Sequence, residues 1–110
     1  MTNISKEPVQ LSSSNHGDWN PPGGTLTEKR ATVYRLPSGK FKLEIDDKRG
    51  SNQGYKEWHF EESRNYRHAD LDELMAIALS EEEDKEIRAA IRDAIGDAED
   101  EIFTQDQEAP

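Results

Sequence analysis

The chain contains no cysteine and no long apolar run, and each absence excludes a class of protein. Without cysteine there is no disulfide framework, no thiolate nucleophile and no zinc site of the cysteine type. Only 32% of the 110 residues are hydrophobic, so the core must be small. No apolar stretch is long enough for a signal peptide or a membrane span. We therefore expect a small soluble protein of a cytoplasm, which is the host cytoplasm if the chain is viral.

Basic residues are scarce in the C-terminal part of the chain. Residues 69–110 contain 15 Asp and Glu but only 3 Lys and Arg, whereas residues 1–68 contain 9 acids and 11 bases. The formal net charge of −10 is therefore concentrated at one end. Such a charge repels nucleic acid and anionic lipid and favours a positively charged partner. We predict a partner protein with a basic, nucleic-acid-binding surface, and no direct binding to nucleic acid or membrane.

No motif for catalysis or metal binding is present. His16, His59 and His68 lack the spacing of metal ligands. Asp46 and Glu57 stand at the first and last positions of a possible calcium loop, but the positions between them lack the required ligands and glycine. No glycine-rich phosphate loop follows a strand, and carboxylates on an exposed helix lack the burial that would tune one of them for acid–base work. We predict a protein that is not an enzyme and holds no metal or cofactor.

Both ends of the chain are poor in apolar residues. Residues 1–27 contain a Ser-rich stretch and a Pro-Pro-Gly-Gly run, which is a composition typical of a flexible arm. Trp19 is the aromatic exception in this arm, and it either anchors a partner or folds back on the domain. Residues 104–110 are predicted to be a disordered acidic tail. A single α+β domain is then expected over residues 28–103.

Alternation of apolar and charged residues predicts a three-stranded antiparallel sheet. The clearest strand lies around residues 41–45, where the period is two. A β-branched and aromatic stretch at 31–36 precedes it, and the Pro-Ser-Gly turn at 37–39 joins the two. A third strand is predicted at 55–60. The side chains expected to face the core are Phe41, Leu43, Ile45, Trp58 and Phe60, with Tyr34 and Leu36 preferred to Val33 on the first strand.

Two capping signals predict two helices after the sheet. Asp70 with Glu73 opens the first, and Ser80 with Glu83 repeats the spacing and opens the second, which reaches about residue 103. Apolar positions recur at helical spacing in both, so the helices are expected to pack on one face of the sheet. The predicted apolar stripes are Leu71, Leu74, Met75 and Ala78 in the first helix, and Ile87, Ala90, Ile91, Ala94, Ile95, Ala98 and Ile102 in the second.

At 100° per residue, the charges of the second helix divide into two flanks. One flank carries Lys85, Arg88 and Arg92, with Glu81 and Asp84 placed to pair with the first two. The other carries five acids and no base. Their spacing of several ångströms is comparable with that of phosphates along one DNA strand, so the row could fit Arg and Lys pockets that normally hold phosphates. The competing interpretation is an ordinary solvated helix face. The candidate partner-binding residues are Glu82, Glu86, Asp93, Asp97 and Asp100, then Glu99 and Glu101, with Trp19 as an arm anchor.

The layout of the chain resembles that of small acidic phage proteins. The resemblance rests on a length of about a hundred residues, the lack of cysteine, three predicted strands and the acidic helical stretch DAIGDAEDE at residues 93–101. It covers layout and charge. Some proteins of this class, including anti-CRISPR and anti-restriction proteins, inhibit host nucleic-acid machines by offering a DNA-like surface. The resemblance implies a non-enzymatic, protein-binding inhibitor that acts by DNA mimicry.

Two further interpretations stay open. A small structural or regulatory subunit, such as a virion component or an antitoxin-like module, would assemble through its sheet edge or N-terminal arm, and the chain would be a monomer or a homodimer. A basic and aromatic patch on the outer sheet face could instead stack on single-stranded nucleic acid, or attract the acidic helix of a second copy. The residues of that patch are Lys40, Lys42, Lys48, Arg49, Tyr55, Lys56 and His59.

Overall fold

The computed structural model describes residues 7–21 and 23–108. Consecutive strands pair antiparallel in the order β1-β2-β3-β4, and the apolar sides of both helices share one core with the sheet. The α+β class and the two C-terminal helices are therefore confirmed. The elements are β1 (Val9–Asn15), β2 (Thr25–Arg35), β3 (Phe41–Asn52), β4 (Lys56–His68), α1 (Leu71–Glu81) and α2 (Lys85–Glu108).

The sheet has four strands rather than the predicted three. The added strand, β1, pairs antiparallel with β2 and forms one edge of the sheet. Its Ser12 hydroxyl also donates a hydrogen bond of 2.5 Å to the carbonyl oxygen of Ala94 in α2. The prediction of a flexible arm is therefore wrong for β1 and for residues 25–27, which begin β2. Residues 1–6 and 22 of the predicted arm lie outside the described residues.

Helix α2 is longer than predicted. It runs without interruption from Lys85 to Glu108, through Gly96. The predicted disordered tail is therefore wrong for residues 104–108, which continue the helix, and residues 109–110 lie outside the described part of the chain.

The inward face of β2 is the opposite of the predicted one. Residues paired across a sheet share a face, and β2 pairs Val33 with Leu43 and Ala31 with Ile45. All four side chains are buried in the core. The choice of Tyr34 and Leu36 over Val33 was wrong because the register with β3, which fixes the face, cannot be read from β2 alone.

Trp58 and Phe60 do not enter the core, although both were predicted to. Phe60 pairs with Arg49 in the regular register of β3 and β4, and a bulge shifts the pairing only beyond it, where Gly50 pairs with Trp58. Phe60 is 37% exposed, and the Arg49 guanidinium lies 4.7 Å from its ring centroid. Trp58 is half-buried, with the Lys48 ammonium 5.7 Å from its ring centroid. Both rings therefore contact neighbouring cations instead of packing in the core.

Both helices bury their predicted apolar stripes, but the connection between the helices differs from the predicted one. The Asp70 carboxylate accepts hydrogen bonds from the first backbone amides of α1, as its capping signal predicted. Ser80 does not open α2, because α1 continues to Glu81. The residue that caps α2 is Asp84, whose carboxylate accepts the amides of Glu86 and Ile87 at 2.9 and 3.1 Å. A link of residues 82–84 therefore separates the two helices.

Candidate functional site

The acidic flank of α2 contains four of the five predicted row residues. The helix packs over β1 and β2, while α1 packs over β4 and β3, so α2 lies at the β1 side of the molecule. Its apolar stripe is buried against the sheet, which turns the remaining positions to solvent. We define the acidic row by its residues: Glu86, Asp93, Asp97 and Asp100.

Glu82 was predicted to belong to the row, but it does not lie on α2. It follows the last residue of α1 and is only 5% exposed. Arg64 of β4 donates to its carboxylate through Nε at 2.8 Å and through Nη2 at 2.6 Å, and Tyr66 donates through its hydroxyl. Placing Glu82 on the exposed flank was therefore wrong, because that placement assumed that it belongs to the second helix.

The contacts of Glu82 keep it ionised in the interior. Burial opposes its ionisation, but the hydrogen bonds from Arg64 and Tyr66 outweigh that effect, so the pKa of Glu82 lies below its ordinary value. Burial, followed by the bond to Glu82, raises the pKa of Tyr66 to about 12. This paired carboxylate therefore serves the fold and is not presented to a partner.

Asp84 is also used by the fold. Lys29 of β2 donates to it at 3.0 Å and to Asp47 of β3 at 3.2 Å, so Lys29 joins the sheet to the start of α2. Burial opposes the ionisation of Asp84, yet the bond from Lys29 and the helix amides bring its pKa down to about 2. The predicted pairing of Asp84 with Arg88 is wrong, since Arg88 donates to the carbonyl oxygens of Leu79 and Glu82.

The acidic row itself is nearly free of internal neutralisation. Across residues 7–21 and 23–104, no Lys or Arg nitrogen lies within 4.0 Å of a carboxylate oxygen of Glu86, Asp97 or Asp100. Asp93 has one partner, His16 Nε2 at 2.6 Å, and its side chain stays 56% exposed. Within the described residues, Lys and Arg side chains therefore do not neutralise the row.

The two secondary candidates differ from the row. Glu99 lies on the flank of α2 that meets the start of α1, and its carboxyl shares a hydrogen bond with Asp72. That bond, together with burial and the nearby charges of Asp72 and Asp100, raises the pKa of Glu99. Glu101 is exposed but has an intramolecular contact. Neither extends the row as an isolated carboxylate.

Trp19 is held against the domain and does not sit on a free arm. Its backbone forms a β-bridge with Leu26 of β2, and the Lys56 ammonium lies 3.9 Å from its ring centroid. The ring nevertheless remains 58% exposed. The structure places it at the end of the sheet where β2 begins.

The predicted basic and aromatic patch does not form a continuous cationic surface. Lys42 and Lys48 are paired with acids of the sheet, at 4.0 Å for Lys42 with Glu44 and 3.6 Å for Lys48 with Glu28. Arg49 and Lys56 lie over aromatic rings, as described above. Most of the positive charge that this surface would need to bind single-stranded nucleic acid is thus used in contacts within the molecule.

The acidic row should cost stability, because like charges three or four residues apart repel along a helix. Asp97 is four residues from Asp93 and three from Asp100, and each such pair costs about 0.2–0.5 kcal/mol. We expect the Asp97→Asn and Asp100→Asn double variant to raise the free energy of unfolding by about 0.5 kcal/mol in low salt. Urea unfolding at low and high ionic strength measures it, since salt should erase the gain. The control is Glu57→Gln on β4, for which no change is expected. A loss of stability in the double variant would mean that the two carboxylates have stabilising partners.

No protein-family model matches the chain, and no similar curated protein or solved structure is found. Within the described residues, neither helix has the length and apolar character needed to cross a bilayer. In the same residues, no three His, Asp or Glu side chains are grouped so that they could hold a metal ion. The resemblance to phage inhibitors and the prediction of a non-enzymatic protein stay predictions.

Proposed function

We propose that this protein is a non-enzymatic, protein-binding inhibitor whose acidic row occupies a basic, nucleic-acid-binding surface of a partner protein. The observation that carries the proposal is the row itself, in which Asp93, Asp97 and Asp100 are exposed and Glu86 is half-buried. Its carboxylates have no Lys or Arg partner within the described residues and lie on one uninterrupted helix. The mode of action is mimicry of nucleic acid, as in phage counter-defence or host takeover.

The geometry of the row suits a surface built to hold phosphates. With a rise of 1.5 Å per residue, Glu86 and Asp100 are about 21 Å apart along the helix axis, and Asp97 lies about 6 Å from Asp93 and about 4.5 Å from Asp100. Duplex DNA offers one phosphate per 3.4 Å of axis on each strand. A stiff helix also presents its charges with little loss of entropy on binding. Association by such a surface is fast and sensitive to salt.

The division of charge within the chain supports the same proposal. The carboxylates that stabilise the fold, such as Glu82 and Asp84, are paired with bases of the sheet. Those of the acidic row are left without such bases, although repulsion between them costs stability. A charged surface that works against folding is a feature of functional sites. We infer that the row is retained for a partner.

Charge reversal of the row tests the proposal. We expect the Asp93→Lys and Asp97→Lys double variant to bind the partner about 10- to 100-fold more weakly, because two attractive contacts become repulsive. The full chain is immobilised, and proteins captured from a lysate of its source organism are identified by mass spectrometry at low and high salt. Affinity for the captured protein is then measured for both forms.

The matched control carries the same change of charge elsewhere. Glu57→Lys with Glu83→Lys alters two exposed acids that have no ion pair within the described residues and lie off the row. It should bind nearly as the original chain does. Support requires that the captured protein binds nucleic acid and that duplex DNA displaces it. Equal binding by both double variants, or binding indifferent to salt, refutes the proposal.

A self-assembling structural or regulatory subunit is the second candidate, since β4 is a 13-residue strand at the edge of the sheet. The free backbone groups of an edge strand can pair with a strand of another chain. Most side chains of β4 are charged or polar, which disfavours such pairing. Residues 9–15 cannot serve as a free arm while they pair with β2. Sedimentation separates the candidates, because a dimer that persists at high salt favours assembly through the edge.

A further inference from the structure

A pocket of about 460 Å³ lies at the end of the sheet opposite Trp19, between the β2–β3 turn and the C-terminal end of β4. The turn is closed by hydrogen bonds between Leu36 and Lys40 and between Gly39 and Leu36. Pairing of Phe41 with His68 brings the end of β4 beside that turn. The pocket thus has a wall from each segment, and its lining residues are Leu36, Ser38, Lys40, Arg67, His68 and Ala69.

The cations of this pocket are unusual because the chain leaves them unpaired. Most other described bases are engaged: Lys29 and Arg64 in buried ion pairs, Lys56 over a ring and Arg88 on carbonyl oxygens. Among the described bases, those with no ion pair, ring contact or side-chain hydrogen bond are Lys40, Arg67, Lys85 and Arg92. Lys85 and Arg92 are exposed on α2 and do not line this pocket, whereas Lys40 and Arg67 share it.

Two further side chains can donate into the same pocket. Nδ1 of His68 accepts the backbone amide of Asp70 at 3.0 Å, so a neutral His68 carries its proton on Nε2, which is then a donor. The Ser38 hydroxyl oxygen accepts the Lys40 amide at 3.4 Å, which leaves its hydrogen free to donate. The pocket therefore offers donors and positive charge, with apolar surface from Leu36 and Ala69 beside them.

We propose that this pocket binds a small phosphate-bearing ligand, with Lys40 and Arg67 as the charged contacts and His68 as a further donor. Arg binds phosphate oxygens through its planar fork and Lys binds them as a point charge, which suits a dianionic phosphate group. The apolar wall gives the organic part of a phosphomonoester a surface to cover. This site is independent of the acidic row, and nothing in its argument rests on the proposed partner protein.

The surroundings favour a small ligand over a nucleic-acid chain. Helix α1 starts beside the pocket with Asp70, Asp72 and Glu73, and a polyanion leaving the pocket in that direction would meet them. The net charge of −10 repels a long polyanion further. A single phosphate group can be held by the pocket cations without approaching those acids.

The test titrates the full chain at low ionic strength with two probes, inorganic phosphate and adenosine monophosphate, followed by amide chemical shifts and calorimetry. We expect saturable binding with shifts at residues of the turn and the end of β4. Adenosine monophosphate should bind more tightly if the apolar wall is used, and equal affinity would assign the site to the phosphate group alone. Lys40→Ala and Arg67→Ala should each weaken binding at least about tenfold, since each removes a charged hydrogen-bond partner.

Lys85→Ala and Arg92→Ala are the matched controls, because they remove the same charges from unpaired positions outside the pocket. They should change affinity by less than about twofold. Equal losses in pocket and control variants would show a nonspecific charge effect and overturn the proposal. So would the absence of saturable shifts, or binding of a single-stranded oligonucleotide where neither small probe binds. Unchanged amide spectra away from the substitution show that each variant is folded.

Discussion

Replacing Arg64 with Met is expected to lower the free energy of unfolding by about 3–5 kcal/mol, because it leaves the buried Glu82 carboxylate without its counter-charge. Arg64 holds Glu82 through two hydrogen bonds, and it lies 3.4 Å from Asp47 and 3.0 Å from Glu62. Glu82 is only 5% exposed, so water cannot replace its lost contacts, whereas Asp47 keeps its hydrogen bond from Lys29. Urea unfolding followed by circular dichroism measures the loss.

A second variant separates the charge effect from the loss of packing. Arg64→Met combined with Glu82→Met removes both partners of the main pair, and it should be more stable than Arg64→Met alone, because the burial of an unpaired carboxylate is avoided. Arg92→Met is the matched control, since Arg92 is an exposed base of α2 without an ion pair in the described chain, and it should change stability by less than about 0.5 kcal/mol. A loss below about 1 kcal/mol for Arg64→Met would mean that the cluster is hydrated and of little energetic weight.

Local patterns predicted the elements that carry strong periodicity. The alternation at residues 41–45 and the stripe of α2 each identify one buried face, and the structure buries both. Strand β1 was missed because Ser12, Ser13 and Ser14 have little β-propensity. Its stability comes from pairing with β2 and from the bond of Ser12 to α2, and both depend on segments distant in sequence. Val9 and Leu11, two residues apart, were the available signal.

The candidate site could be predicted where one helix determines it and not where two elements meet. The helical wheel placed Glu86, Asp93, Asp97 and Asp100 on one flank, and the helix that carries them is continuous. The last three are exposed in the structure, and Glu86 is half-buried. It failed at Glu82 because the boundary between α1 and α2 lies at residues 82–84, where Asp84 caps α2 and pairs with Lys29. The ion pair of Asp84 with Lys29 joins segments distant in sequence, and no local pattern contains that information.

The placement of the charges links the fold to the proposed function. The bases of β2 and β4 neutralise the acids at the helix junction, which fixes the start of α2 on the sheet. Beyond that start, the buried apolar stripe packs the rest of α2 against the sheet. The acidic row is thus carried on a helix that is held to the sheet by residues other than the row. Variants of the apolar stripe or of the helix junction should therefore mainly lower the stability of the fold. Variants of the row should mainly weaken partner binding.

Ile91→Ala is the variant of the apolar stripe with the largest expected effect, at about 2–5 kcal/mol of unfolding free energy. Ile91 is fully buried between α2 and the sheet, and its truncation leaves a cavity under the part of the helix that precedes Asp93. Ile77→Ala in α1 is the matched control, because Ile77 is 39% exposed and should lose at most about 1 kcal/mol. Urea unfolding measures both, and equal losses would contradict the packing of α2 described here. Hydrogen exchange along α2 should speed up in Ile91→Ala and should not speed up in Asp97→Asn, because the first variant loosens the helix and the second only relieves repulsion on its surface.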